Sequence, residues 1–190
     1  KEACQKEADG IIIAPANSSA MSGILNDIKN QNIPVVLVDT IMNDVSCFDT
    51  CFMTDNLEAG SLAAEEMLRK VKEMGYTEDE DVDIAIQITS TSSQTVIDRL
   101  AGFNQYWSVN APEKWQVLDE IKQNNGDKDR AKQNCTDFLT QYENIKGMFG
   151  CNNSSTVGFV NGLVEQKRSD VVLVGFDYAD ETAEFISNKD

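Results

Sequence analysis

Gly10-Ile11-Ile12-Ile13-Ala14-Pro15-Ala16-Asn17-Ser18-Ser19 opens the stretch that decides the fold, and Ile33-Pro34-Val35-Val36-Leu37-Val38-Asp39-Thr40 closes it. Each holds a short apolar run that does not alternate with polar residues and ends in small or polar ones, the pattern of a strand buried on both faces. Between them Met21, Ile24, Leu25 and Ile28 recur at the spacing of one helix face. The turn at 15–19 leads into that helix, with Asn17 or Ser18 as its expected cap. Strand, helix and strand in this order form a unit whose strands lie parallel.

The same alternation continues outward along the chain. Cys51-Phe52-Met53-Thr54 reads as a third strand, followed by a long helix from 56 to about 74 that Asp55 or Asn56 would cap. An acidic, solvated loop at 76–81 precedes a strand at 83–89, and Ser90-Thr91-Ser92-Ser93 leads into a helix at 94–109. A strand at 115–121, a helix opened by Gly126-Asp127 and a short strand at 147–150 come next. A helix at 154–165, a strand at 171–176 and a helix at 179–186 complete the reading. The fold class is therefore α/β, with doubly wound parallel sheets.

Composition narrows the chemistry. The 190 residues carry 32 Asp and Glu against 16 Lys and Arg, a net charge of −16, and no histidine. With no basic stripe to neutralise phosphates, nucleic acid is not an expected partner of these residues. Without histidine there is no Ser-His-Asp or Cys-His catalysis, and a zinc site would have to use Cys and carboxylates. Apolar runs such as Val171-Val172-Leu173-Val174 fall far short of the roughly 20 residues that span a bilayer. Residues 1–9 are polar and helical in character, with none of the regions of a signal peptide. Cys4, Cys47, Cys51, Cys135 and Cys151 follow no metal-binding spacing and read as free, partly buried thiols; a local disulfide or soft-metal site at Cys47 and Cys51 stays open.

In open parallel sheets a ligand sits beyond the carboxyl ends of the strands, which points to the loops at 14–18, 39–40, 90–93, 151–153 and 177–178. These are polar and mostly uncharged, a lining for a neutral hydroxylated ligand, with Asp39 and Asp177 to accept from hydroxyl groups and Thr91 and Ser93 to add hydroxyls. No glycine-rich nucleotide motif is present, and no cofactor is expected. Phe103, Trp107 and Trp115 read as core residues.

Ala8-Asp9-Gly10-Ile11-Ile12-Ile13-Ala14-Pro15, Ile33 to Asp39, Thr54-Asp55-Asn56 with Gly60, Asp98-Arg99-Leu100-Ala101-Gly102-Phe103, Cys151-Asn152-Asn153 with Gly158, and Val174-Gly175-Phe176-Asp177 follow one another in order. Together they resemble the ribose-binding-protein branch of the type I periplasmic binding proteins, shared with the effector domains of LacI-type repressors. The resemblance implies two doubly wound lobes joined by crossing strands and closing on a ligand. On that pattern residues 1–54 are part of an amino-terminal lobe, residues 55–190 are most of a second lobe, and the chain is expected to be a fragment. The smaller part, short of covering elements, is expected to be disordered, rearranged or covered by another chain.

The resemblance places ligand contacts at Asp39, Asn152 and Asp177, although each also suits a local turn or cap. Arg99 matches a structural arginine, and Asn153 reads as a helix cap. Relatives that bind small aldoses often have Asn at the position of Ala14 and Arg at those of Thr40 and Ile97. Without those guanidinium donors the site, with Thr40 as a contact, suits a larger, less polar or differently substituted compound. The leading expectation is a non-enzymatic, extracytoplasmic solute-binding protein that works by hinge closure. It would deliver a sugar-like compound to an ABC permease and touch no membrane except through a lipid anchor outside this chain. The alternatives are the effector domain of a LacI-type regulator, which would be cytoplasmic, and the input module of a sensor kinase.

Overall fold

The computed structural model describes residues 8–188, so Cys4 lies outside the described residues. Contacts divide the chain into two compact units, one of residues up to 56 with 91–98 and one of residues 57–90 with those from 99 onward.

In the first unit, strands β1 (Ile11–Ile13), β2 (Val35–Val38) and β3 (Thr50–Phe52) form a parallel sheet in the order β1-β2-β3, with Ile12 opposite Val36 and Leu37 opposite Cys51. Helix α1 (Ser22–Lys29) supplies Leu25 and Ile28, which join Val35, Leu37, Met42 and Cys47 in one core on one face of the sheet. The other face is open among the described residues, where Ile12 is 76%, Val38 39% and Phe52 67% exposed. The β strands are thus regular rather than rearranged, and the two-sided burial that their composition predicts is met on one side only. The expected cap of α1 is also corrected. Asn17 accepts from the amides of Ser19 and Ala20 in a turn before the helix, Ser18 accepts from the Gln94 amide, and Met21 at the cap position has no side-chain acceptor.

In the second unit the parallel order is β5-β4-β6-β7, with β4 at Val82–Ile88, β5 at Trp115–Gln123, β6 at Ile145–Gly150 and β7 at Val172–Gly175. Here both faces are covered. Ala85 and Met148 pack on Cys135 and Phe138 of α4 (Lys128–Gln141) and on Phe159 and Leu163 of α5 (Asn153–Glu165). On the opposite side α2 (Asn56–Glu73) buries Met67 and Val71, and α3 (Gln94–Asn110) stacks Phe103 on Phe149 at 4.5 Å. Phe103, Trp107 and Trp115 are buried, as expected, and the Trp107 indole donates to the Trp115 carbonyl at 2.9 Å. Helix α6 (Asp180–Ser187) follows β7.

Glycines set how closely these helices approach. A methyl group on Gly60 would fall on the Arg99 carbonyl and one on Gly102 on the Leu57 carbonyl, so α2 and α3 cross backbone to backbone. Cys47, Cys51, Cys135 and Cys151 are free thiols, and burial pushes the Cys135 thiol up to about 12.

Candidate functional site

The carboxyl ends of β6 and β7 are joined through one hydroxyl. Gly150 and Gly175 are register partners, and the Thr156 side chain stands over both, leaving no room for a Cβ at either. Thr156 Oγ1 accepts from the Phe176 amide at 3.2 Å and donates to the Asn152 carbonyl at 2.9 Å. The chain leaving β6 and the chain leaving β7 are fixed together, and with them Asn152 and Asp177.

Asp177 has φ 68°, in the left-handed region that Asp tolerates better than most residues. This turn brings its Oδ2 within 3.0 Å of the amide of Asn153, the first residue of α5. A carboxylate there is favoured by the unpaired amides and dipole of the helix start. Behind the two loops, Arg99 is buried, stacks 3.9 Å from the centre of the Phe176 ring and donates to the Cys151 carbonyl at 2.9 Å. Asn153, expected as the helix cap, is instead the first residue of α5, with Asn152 at the cap position, and the Asn153 side chain donates to the Tyr178 carbonyl.

Asn152 is half-buried and rests on a buried polar layer. Its Nδ2 donates to Ser154 Oγ at 2.9 Å and its Oδ1 accepts from Ser155 Oγ at 2.5 Å. Both serines also bond to Asn124, which is fully buried and lies in the loop after β5.

The first unit repeats the strand-end device. Asp39, directly after β2, has φ 71°, and its amide donates to the Phe52 carbonyl at 2.8 Å. Thr40 donates to Asp39 Oδ2 at 3.0 Å and lies 3.2 Å from the Thr95 hydroxyl, itself 3.1 Å from the Asp39 carbonyl. Thr40 is buried, so it holds the acid in place, while Asp39 is exposed. Thr91 is exposed and Ser93 half-buried, and neither hydroxyl is bonded within the described residues; Ala14 is exposed at the end of β1.

The structure thus brings Asn152 and Asp177 together in one unit and Asp39 and Thr40 together in the other, with Thr95 from the segment that carries Thr91 and Ser93. Sequence reasoning missed Asn124, Ser154, Ser155, Thr156 and Thr95. Asn124 was accessible to it, because the loop after β5 is a strand end like the others. Two clefts of the second unit lie elsewhere: one of about 580 Å³ is beside Val160 and Phe185, and one of about 620 Å³ runs along β7 and the end of α2. A smaller cavity of about 120 Å³ reaches Asp177 and Thr156. Among the described residues no cluster of three or more His, Cys, Asp or Glu is placed to hold a metal ion, and no helix is long and apolar enough to cross a membrane.

The profile of the family described as periplasmic binding protein domain matches residues 1–190. The chain belongs to the periplasmic binding protein family. This is a family of non-enzymatic solute-binding proteins, and the parallel α/β sheets match its type I fold. The chain is 25% identical to a D-apiose import binding protein of Paraburkholderia graminis over 99% of its own length and 57% of the relative's. Among solved structures it is similar to an ABC transporter solute binding protein from Agrobacterium vitis with bound D-fucose, at 25% identity, a TM-score of 0.88 and coverage of 99% of this chain and 62% of that one. A carbohydrate transporter solute binding protein from Agrobacterium radiobacter in complex with D-arabinose gives 25% identity, a TM-score of 0.89 and the same two coverages. This periplasmic binding protein domain therefore spans about 57% of the curated relative and 62% of these structures.

Proposed function

We propose that the protein carrying this domain is the solute receptor of an ABC-type import system for a sugar or sugar-like compound, and that it binds without turnover. The observation that carries the reading is the pair at the strand ends of the second unit, an amide donor at Asn152 beside a carboxylate acceptor at Asp177. A sugar hydroxyl both accepts and donates, so such a pair recognises adjacent hydroxyl groups without needing a charged ligand. Asp39 adds a second acceptor, and Thr91 and Ser93 add hydroxyls with no bond among the described residues. The relatives named for D-apiose import and those holding D-fucose and D-arabinose support the same class of ligand. The mechanism is the hinge closure that the resemblance implies, with the ligand stabilising the closed conformer. The receptor works outside the cytoplasm and hands its ligand to an ABC permease.

The test is a thermal-shift and calorimetric series on the full-length protein with D-apiose, D-fucose, D-arabinose, polyols and amino sugars. Stabilisation that grows with ligand concentration is expected for at least one of them. Asp177→Ala should then weaken binding by about 1.5–3 kcal/mol, the loss expected for a hydrogen bond to a charged group. Unchanged affinity in that variant would make Asp177 a turn residue, and no stabilisation by any compound would overturn the receptor reading.

A further inference from the structure

We infer that Asn124, acting through Ser154 and Ser155, fixes which way the amide of Asn152 faces, and so decides that the site offers its ligand a donor at this position. For its consequence in binding, the inference rests on the receptor reading above. The argument begins at a group whose polarity is not open to choice. The Gly126 backbone amide lies 2.8 Å from Asn124 Oδ1, and a backbone N–H can only donate, so this atom of Asn124 is the acceptor oxygen. Its other terminal atom is therefore the NH₂ group, which donates to Ser155 Oγ at 2.8 Å. Ser155, having received that proton, turns its own toward Asn152 Oδ1 at 2.5 Å. Ser154 closes the cycle, donating to Asn124 Oδ1 at 3.1 Å and accepting from Asn152 Nδ2 at 2.9 Å.

Inverting the Asn152 amide would set an NH₂ group against the Ser155 hydroxyl and an oxygen against Ser154. Ser155 would then face two NH₂ groups with its own proton left without an acceptor in the ring, and the single Ser154 proton would face two oxygens; Asn124 could not relieve this without presenting its NH₂ to the Gly126 amide. Such a clash is costly here because the layer is buried: Asn124 and Ser155 are fully so and Ser154 nearly so. Asn124 is itself anchored, since its backbone amide donates to the Ile88 carbonyl at the end of β4. Beneath the ring, Gln87 donates to the Ser155 carbonyl and accepts from Asn134, which seats the start of α5 on the sheet. One N–H of Asn152 remains outside the ring. Asn124, Ser154 and Ser155 are thus positioning residues, and Asn152 is the group that meets the ligand.

The test reads the Asn152 side-chain amide by nitrogen-15 NMR in the full chain, without ligand. In the unaltered protein one of its two protons should exchange slowly, held by Ser154, and the other fast. Ser155→Ala removes the donor to Oδ1, and exchange of the protected proton should rise by about tenfold or more. Asn124→Asp still accepts from Gly126 but has no proton to give Ser155, and should produce the same change. Ser155→Thr keeps a hydroxyl and should restore protection. Unchanged protection in folded Ser155→Ala and Asn124→Asp would overturn the inference. A binding cycle with whichever of D-apiose, D-fucose or D-arabinose stabilises the protein adds a second decision. Ser155→Ala should weaken that sugar about tenfold alone and not at all in an Asn152→Ala background. An equal loss in both backgrounds would also overturn it. If none of the sugars binds the unaltered protein, the receptor reading fails, and the exchange measurement still decides the orientation.

Discussion

The central strands of the two units share a composition and differ in their surroundings. In β4 Val82, Ile84, Ala85, Ile86 and Ile88 are all buried, because α2 and α3 cover one face and α4 and α5 the other. In β2 Val35 and Leu37 are buried under α1, while Val36 is half-buried and Val38 exposed. The chemistry of a strand thus states what it requires, and only the elements packed around it determine whether the requirement is met. The strand-end acids differ less. Asp39 and Asp177 both turn out of their strands at positive φ, so the device that presents a carboxylate is complete in each unit whatever the state of the sheet below it.

The largest expected effect probes the two cores. Phe149→Ala removes a ring stacked on Phe103 in the doubly covered sheet and should cost about 3–5 kcal/mol, whereas Leu37→Ala in the singly covered one should cost nearer 2 kcal/mol. Cysteines report the units separately, since Cys47 is buried in the first and Cys135 and Cys151 in the second. Burial raises all three thiols above their ordinary range, so they stay silent toward alkylating reagents until their own unit opens. Cys47 should become reactive at lower urea than the other two. Simultaneous labelling would show that the units unfold as one and break the comparison.

The sequence carried the order and type of every strand and α-helix among the described residues, because buried strands and amphipathic helices leave different periods, but it did not reveal the short 3₁₀ helix Val45–Cys47. It was less exact where polar residues complete an element. β5 runs to Gln123 rather than 121 because Lys122 and Gln123 continue the pairing with Gln87 and Ile88, and no apolar pattern marks such positions. Asn152 and Asp177 could be read as candidate contacts because they stand where strands end. Asn124 and Ser155 could not be read as their support, because they lie 31 residues apart and the direction of each hydroxyl depends on atoms brought together by folding. Ser18 was misread for a similar reason: the amide it accepts from belongs to Gln94, 76 residues away, and outcompetes the helix start nearby.

A smaller effect tests the open face directly. Phe52 is 67% exposed, so Phe52→Ser should change stability by no more than about 0.5 kcal/mol, measured by urea unfolding with Cys47 as reporter. A loss near 2 kcal/mol, the worth of fully burying a Phe side chain, would mean that this face is covered in solution. The units would then be alike, and the contrast would belong to the described residues alone.

The last effect is acid sensitivity, and it asks whether each unit is pinned by a carboxylate. In the first, Asp49 accepts from the Val35 amide at 2.8 Å and pairs with Lys29 at 3.0 Å, which together hold its carboxyl below the ordinary 3.8. In the second, Asp170 takes both a 2.7 Å and a 2.9 Å bond from Arg168 and is likewise lowered. A carboxyl whose folded value is depressed contributes stability in full above its unfolded value, and the contribution fades as pH falls through the folded one. Both units should therefore hold their acid-linked stability above about pH 4 and lose it below. Asp49→Asn should flatten the acid dependence of Cys47 exposure while leaving that of Cys135 unchanged, and Asp170→Asn should do the reverse, the latter by under about 1 kcal/mol because the pair is partly solvated. If either substitution flattened both profiles, the two units would share one acid transition, and a contrast drawn from packing would not extend to their electrostatics.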